Sequence, residues 1–106
     1  MRNTLQNMAA RTYRLSPLAE VDLEGIWLYT LENWSLAQAD SYHHSLVAEI
    51  EALAVGRKKG RMSTLRPGYL TRTCGSHVIW FRDRGDGLEV VRVLHAAQDT
   101  ARHLDL

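Results

Sequence analysis

The apolar residues of this chain change their period once, from about 3.6 before a short block of cations to about 2 after it. That change constrains the fold strongly, because it puts helices first and strands last. A chain of 106 residues cannot stabilise two separate small cores without staples, so both halves must share one. The expected class is α+β in a single domain.

Ahead of the cations, Ala19, Leu23, Ile26, Trp27, Thr30, Leu31 and Trp34 fall on one face of a helix running from Pro17 to about Trp34. Ser16 supplies an N-cap and Pro17 a first-turn proline, and Glu20, Asp22 and Glu24 sit near the positive end of the helix dipole. Ser35 can cap a second helix. Its stripe is Ala39, Tyr42, Leu46, Ile50 and Leu53, and Gly56 stops it. With almost no loop between them, the two helices should pack as an antiparallel hairpin. Thr12 to Leu15 reads as a short strand before the hairpin. Residues 1–11 show no periodicity and are expected to be a flexible tail, with Met8 as a possible natural start, so that the domain occupies 12–106.

Behind the cations, strands are expected at Tyr69–Cys74, His77–Asp83 and Leu88–His95, joined as an antiparallel meander by Gly75-Ser76 and Gly85-Asp86-Gly87. With the first strand and the hairpin, the meander forms one small sheet covered on one side. A turn centred between Gly85 and Asp86 sets Arg82 opposite Glu89 as a cross-strand charge pair. Regular alternation from there groups Val78, Trp80, Val91, Val93 and His95 on one face and Ile79, Phe81, Val90 and Leu94 on the other. Both faces are apolar. The helices can cover one, and little chain is left for the second, so an exposed apolar surface is expected there, of the kind that marks a partner site.

Cys74 is the sole cysteine, which excludes an internal disulfide and a cysteine-based zinc cluster and suits a reducing compartment. No signal-peptide or membrane-spanning run is visible, so a soluble cytoplasmic protein is expected. The net charge of +1 hides a concentration of cations: Arg57, Lys58, Lys59, Arg61, Arg66 and Arg72 lie between 57 and 72 with no acid among them. Such a patch suits an acidic or polyanionic partner.

Four stretches carry a family resemblance: Leu15-Ser16-Pro17-Leu18-Ala19-Glu20 with Asp22-Leu23 and Ile26-Trp27; Leu65-Arg66-Pro67-Gly68-Tyr69; His77-Val78-Ile79-Trp80-Phe81-Arg82; and Val90-Val91-Arg92-Val93-Leu94-His95. In this order, spread over roughly 13–104, they resemble the RelE/ParE toxin superfamily, and the ParE branch most. The resemblance implies a toxin held silent in a hetero-oligomer by a ParD-like antitoxin and, for the ParE branch, poisoning of DNA gyrase. RelE relatives instead cleave messenger RNA on the ribosome, which is the alternative activity. No cofactor is implied.

The surface expected to take the antitoxin is the outer side of the first helix, Val21 and Leu28, with Ile79, Phe81, Val90 and Leu94 of the uncovered face. If the chain were a nuclease, His95, Arg82, Arg72 and Arg92 are the candidates for base and phosphate cations. In the register above, however, Arg92 faces away from His95 and Arg82, and no tyrosine follows His95 to complete a RelE-like set. His43 and His44 point about 100° apart on a helix, so they are not paired metal ligands. Trp27, Trp34 and Trp80 sit in periodic stripes and are expected in the core.

Overall fold

In a computed structural model that describes residues 12–98, each helix begins where its cap predicts. Ser16 Oγ accepts from the Ala19 amide and Ser35 Oγ from the Gln38 amide, satisfying donors that the first turn leaves open. The elements are β1 (Thr12–Leu15), α1 (Pro17–Asn33), α2 (Leu36–Ala54), β2 (Arg61–Met62), β3 (Leu70–Cys74), β4 (His77–Asp83) and β5 (Gly87–His95). Trp27 Nε1 donates to Asp40 Oδ1 at 2.9 Å and ties α1 to α2 across their short connection. The tail expected over 1–11 lies outside the described residues.

The sheet has five strands in the order β1-β5-β4-β3-β2. The meander forms as expected, and Arg82 does pair with Glu89. Two features go beyond the expectation. β1 pairs parallel to β5, making the sheet mixed, and the basic segment contributes the two-residue edge strand β2. Gly87 permits the first of these, since a Cβ there would lie 2.6 Å from the Thr12 carbonyl oxygen.

One local irregularity rearranges the faces of β5. Phe81 pairs with Val90 and Trp80 with Arg92, which leaves Val91 as an extra, unpaired residue in a β-bulge. Beyond the bulge every side chain changes side relative to plain alternation. Val93 therefore joins Ile79, Phe81 and Val90 under the helices, in the core with Ala19, Leu23, Leu46, Ile50 and Leu53. Leu94 moves to the opposite face, where it clusters with Trp80 and Val91 against Tyr69 and Val78.

This corrects the expected surface. Ile79, Phe81 and Val90 are 0%, 3% and 0% exposed beneath the hairpin, not on an uncovered face, and Leu94 is also buried. Nor does the far side of the sheet present the expected exposed apolar surface, because Trp80, Val91 and Leu94 at its centre are buried. The exposed large apolar residues lie elsewhere: four of the nine among the described residues, Leu18, Val21, Leu28 and Tyr29, are on α1.

Candidate functional site

The inner side of α1 and its N-cap residue are fastened to β5 from Val90 onward, where the pairing with β1 ends. The Ser16 amide donates to the Val90 carbonyl and the Ser16 hydroxyl to the Val91 carbonyl, at 2.9 and 2.8 Å. Further along the helix, Asp22 accepts from Arg92 Nε (2.7 Å) and Nη2 (2.9 Å) and from the Val93 amide (2.9 Å). This bidentate pair, strengthened by a backbone donor, is of the strong charge-assisted kind. The hydrogen bond to Asp22 raises the Arg92 pKa against the opposing effect of burial.

Held in this way, α1 turns a second apolar stripe outward. Leu18, Val21, Leu28 and Tyr29 are all exposed, Val21 by 62% and Tyr29 by 64%. They share one side of the helix with Gly25, where an added Cβ would meet nothing within 4 Å. That side opens into a groove of about 550 Å³ between α1, the start of α2 and the ends of β4 and β5. Trp34 is on its rim and 74% exposed, contrary to its expected place in the core. The reason is local: Trp34 is the C-cap of α1 with non-helical backbone (φ −132°, ψ −89°), so the helical stripe no longer governs where its ring points. Of the other tryptophans, Trp80 is buried and Trp27 half-buried.

Polar groups gather on the groove wall. Tyr42 Oη lies 2.6 Å from His77 Nδ1 and accepts from the Ser76 amide at 3.0 Å. Gly75 makes room for that contact, since a Cβ would fall 2.7 Å from Tyr42 Oη, and its φ of +58° also favours glycine. His77 packs edge-on against His95, with ring centroids 5.2 Å apart. Burial first, and the neighbouring His95 second, push the His77 pKa down, while burial raises that of Tyr42. Both groups therefore favour their neutral forms. His95 Nδ1 accepts from the Ala97 amide at 3.0 Å, and Gln98 Oε1 accepts from the His95 amide.

The four residues considered for nuclease chemistry do not converge. His95 lies on the helix side of the sheet, opposite His77 in the ladder, whereas Arg82 pairs with Glu89 on the other side and its guanidinium stacks 5.5 Å from the Tyr69 ring centroid. The expectation that His95 and Arg82 share a face is overturned by the bulge at Val91. Arg92 is engaged by Asp22, and Arg72 is bound to Glu49 at the far edge of the sheet, Nε to Oε2, at 2.6 Å. General acid–base catalysis needs groups within hydrogen-bond reach of one reacting centre.

Elsewhere in the basic segment, Lys58 joins Arg72 on Glu49. Burial opposes ionisation of Glu49, but these two cations outweigh it and hold its carboxyl below the usual range. Arg57, Lys59 and Arg61 are exposed, and Arg66 is half-buried in the turn before Tyr69. Among the described residues no three His, Cys, Asp or Glu side chains are grouped to hold a metal ion, and no helix is long and apolar enough to cross a membrane.

A fold with this hairpin, mixed sheet and helix-pinned β5 has known relatives. The model of the ParE toxin of the type II toxin–antitoxin system parDE matches residues 13–100. The chain belongs to the ParE toxin family. It is 40% identical over 94 residues to toxin ParE1 of Mycobacterium tuberculosis, covering 87% of this chain and 96% of that one. Toxin ParE1 of Caulobacter vibrioides is 39% identical over 95 residues, with 89% and 98% covered. Toxin ParE of Escherichia coli is 35% identical over 94 residues, with 87% and 91% covered. A solved structure described as the chromosomal ParDE system of P. aeruginosa superposes with a TM-score of 0.72 at 20% identity, over 82% of this chain and 97% of that one, and shows the shared fold. The ParE resemblance seen in the four sequence stretches is thus borne out.

Within this ParE-family chain, the sequence pointed to Val21 in the groove and to Leu28 on the same side of α1, but not to Tyr29, Trp34, Tyr42 and His77 as groove residues. One signal was available: Leu18, Val21, Gly25 and Leu28 repeat at spacings of three and four opposite the core stripe. Tyr42 and His77 gave no such signal, because the turn at Gly75 that brings them together is a tertiary contact.

Proposed function

We propose that this ParE-family toxin is neutralised in the cytoplasm by a ParD-like antitoxin that lays an apolar segment along the outer side of α1 and into the adjoining groove, and that the free toxin poisons DNA gyrase by binding alone. The observation that carries the reading is the exposed stripe Leu18, Val21, Leu28 and Tyr29 on a helix whose other side is already committed to the core. A helix apolar on both sides is expected where a second layer completes the burial. The complex should bury about 2,000 Å² or more in total, the range of lasting assemblies, with much of it from a segment that orders on binding.

The absence of a chemical step in this reading is supported by the separation of His95, Arg72, Arg82 and Arg92, each of these arginines being held by an acid. A binding poison needs no proton transfer. The test compares the wild-type chain with His95→Ala in a gyrase supercoiling assay and on translating ribosomes, with antitoxin affinity as the check on folding. Equal inhibition of supercoiling by both, with messenger RNA intact, is expected. Ribosome-dependent cleavage that falls roughly a hundredfold or more in His95→Ala, the usual cost of losing a proton-transfer group, would replace this reading with a RelE-like nuclease.

A further inference from the structure

A second cavity, of about 380 Å³, opens at the edge of β3 and shares no lining residue with the α1 groove. It exists because β2 pairs only with Leu70 and Thr71, leaving the chain at 59–60 beside Arg72 and Thr73 without a continued ladder. Its walls are Lys59, Gly60, Arg61, Thr71, Arg72 and Thr73. Gly60 is required in this wall: a Cβ would fall 2.5 Å from the Phe81 ring and 3.1 Å from the Thr71 carbonyl oxygen, so a larger residue would lift the segment off the sheet.

The cations here are arranged unequally. Arg72 is fixed, with Nε on Glu49 and Nη1 on the Lys59 carbonyl at 3.3 Å. Lys59 and Arg61 are exposed and, among the described residues, have no acid partner. Glu49, the partner of Arg72, is already shared with Lys58, and no acid lines the cavity, so among the described residues its walls keep an excess of positive charge. Thr71 and Thr73 add hydroxyl groups to the lining.

We propose that this cavity binds a phosphodiester group of a nucleic-acid backbone, with the exposed Arg57, two residues before Lys59, meeting a neighbouring phosphate. Arg, Lys, Thr and backbone groups are the usual contacts to phosphate oxygens, and they need no apolar surface. An acidic peptide fits less well. Peptide and protein partners anchor through buried aromatic or aliphatic side chains, and no apolar side chain lines this cavity to receive one. The inference stands whichever macromolecule the toxin poisons, and its test contains neither gyrase nor antitoxin.

The test is fluorescence anisotropy of a labelled mixed-sequence DNA duplex of about 20 base pairs, titrated with the full chain from roughly 50 to 200 mM salt. Saturable binding is expected, with affinity falling steeply as salt rises. Lys59→Ala with Arg61→Ala should weaken it roughly tenfold at low salt and lower the logarithmic salt slope by about 2, near 1 for each phosphate that is no longer neutralised. Both residues are exposed, so folding, checked by circular dichroism, should be kept. Thr73→Val, which changes no charge, should weaken binding a few-fold. Arg14→Ala with Arg84→Ala removes the same charge at the β1 side of the sheet and should leave the slope nearly unchanged.

Four results would overturn the proposal. Equal losses from the two double variants would mean diffuse attraction only, and the absence of binding would remove it outright. Displacement of the DNA by polyglutamate, with the same dependence on Lys59 and Arg61, would assign the cavity to an acidic peptide. Inorganic phosphate at matched phosphate concentration is expected not to compete; full displacement by it would give the cavity to a free phosphate and contradict the backbone assignment.

Discussion

α2 buries Leu46, Ile50 and Leu53 together with Ala39 on one stripe and exposes, of its large apolar residues, only Leu36 at its first position, whereas α1 carries them on both sides. Its inward Ala19 and Leu23 are buried, while Leu18, Val21, Leu28 and Tyr29 face outward and stay exposed. The two helices are consecutive, similarly capped and packed on the same sheet. What separates them is how much of each is finished within this chain. α2 satisfies its burial here, and α1 satisfies only half of it. The same apolar side chain should therefore do different things on the two helices, setting stability on α2 and association on the outer side of α1.

The largest effect is expected on α2. Leu46 is fully buried, so Leu46→Ala should destabilise the chain by roughly 2–5 kcal/mol, counting both the lost transfer energy and the cavity left behind. Denaturant unfolding measures this directly, and a cost well below that range would mean that α2 is not the finished half of the hairpin.

A smaller effect of opposite sign should appear at Gly25 on α1. Its Cβ position is open, and glycine within a helix costs about 0.5–1 kcal/mol relative to alanine. Gly25→Ala should therefore raise the stability of the free chain by about that amount while weakening antitoxin binding, because the new methyl enters the groove. Stabilisation without any loss of affinity would place the partner elsewhere and sharpen the boundary of the site.

How much of this was legible in the sequence follows from how each element signals itself. Ser16-Pro17, Ser35 and Gly56 mark helix ends through local backbone chemistry, and the glycine turns fix the meander and the Arg82–Glu89 register in the same local way. The bulge at Val91 has no such mark. Val90-Val91-Arg92-Val93-Leu94 is apolar on both sides of the strand, so shifting it by one residue exchanges one apolar face for another and leaves the pattern intact. That ambiguity misplaced Val93, Leu94 and His95 and assigned Ile79, Phe81 and Val90 to an open surface. The parallel pairing of β1 with β5 was hidden for a related reason, because it joins segments about 75 residues apart whose contact is secured by Ser16, Asp22 and Gly87 and not by any local period.

The groove was half legible. Val21 and Leu28 show their side of α1 by spacing alone, whereas Tyr42, His77 and His95 come together only after Gly75 and the bulge have set the geometry. Trp34 shows the limit of periodicity at a helix end, where one cap residue leaves the stripe.

The most direct test of the account is the antitoxin affinity of the double variant Val21→Ser with Leu28→Ser. Both side chains are exposed in the free chain, so its stability should stay within about 0.5 kcal/mol and its melting temperature within roughly 4 °C of the wild type. Calorimetric titration with the ParD-like antitoxin should nonetheless show affinity falling by at least tenfold, since each apolar side chain left unburied forfeits about 1.5–3 kcal/mol. Unchanged affinity in a chain that folds normally would contradict the assignment of the outer face of α1 to the antitoxin.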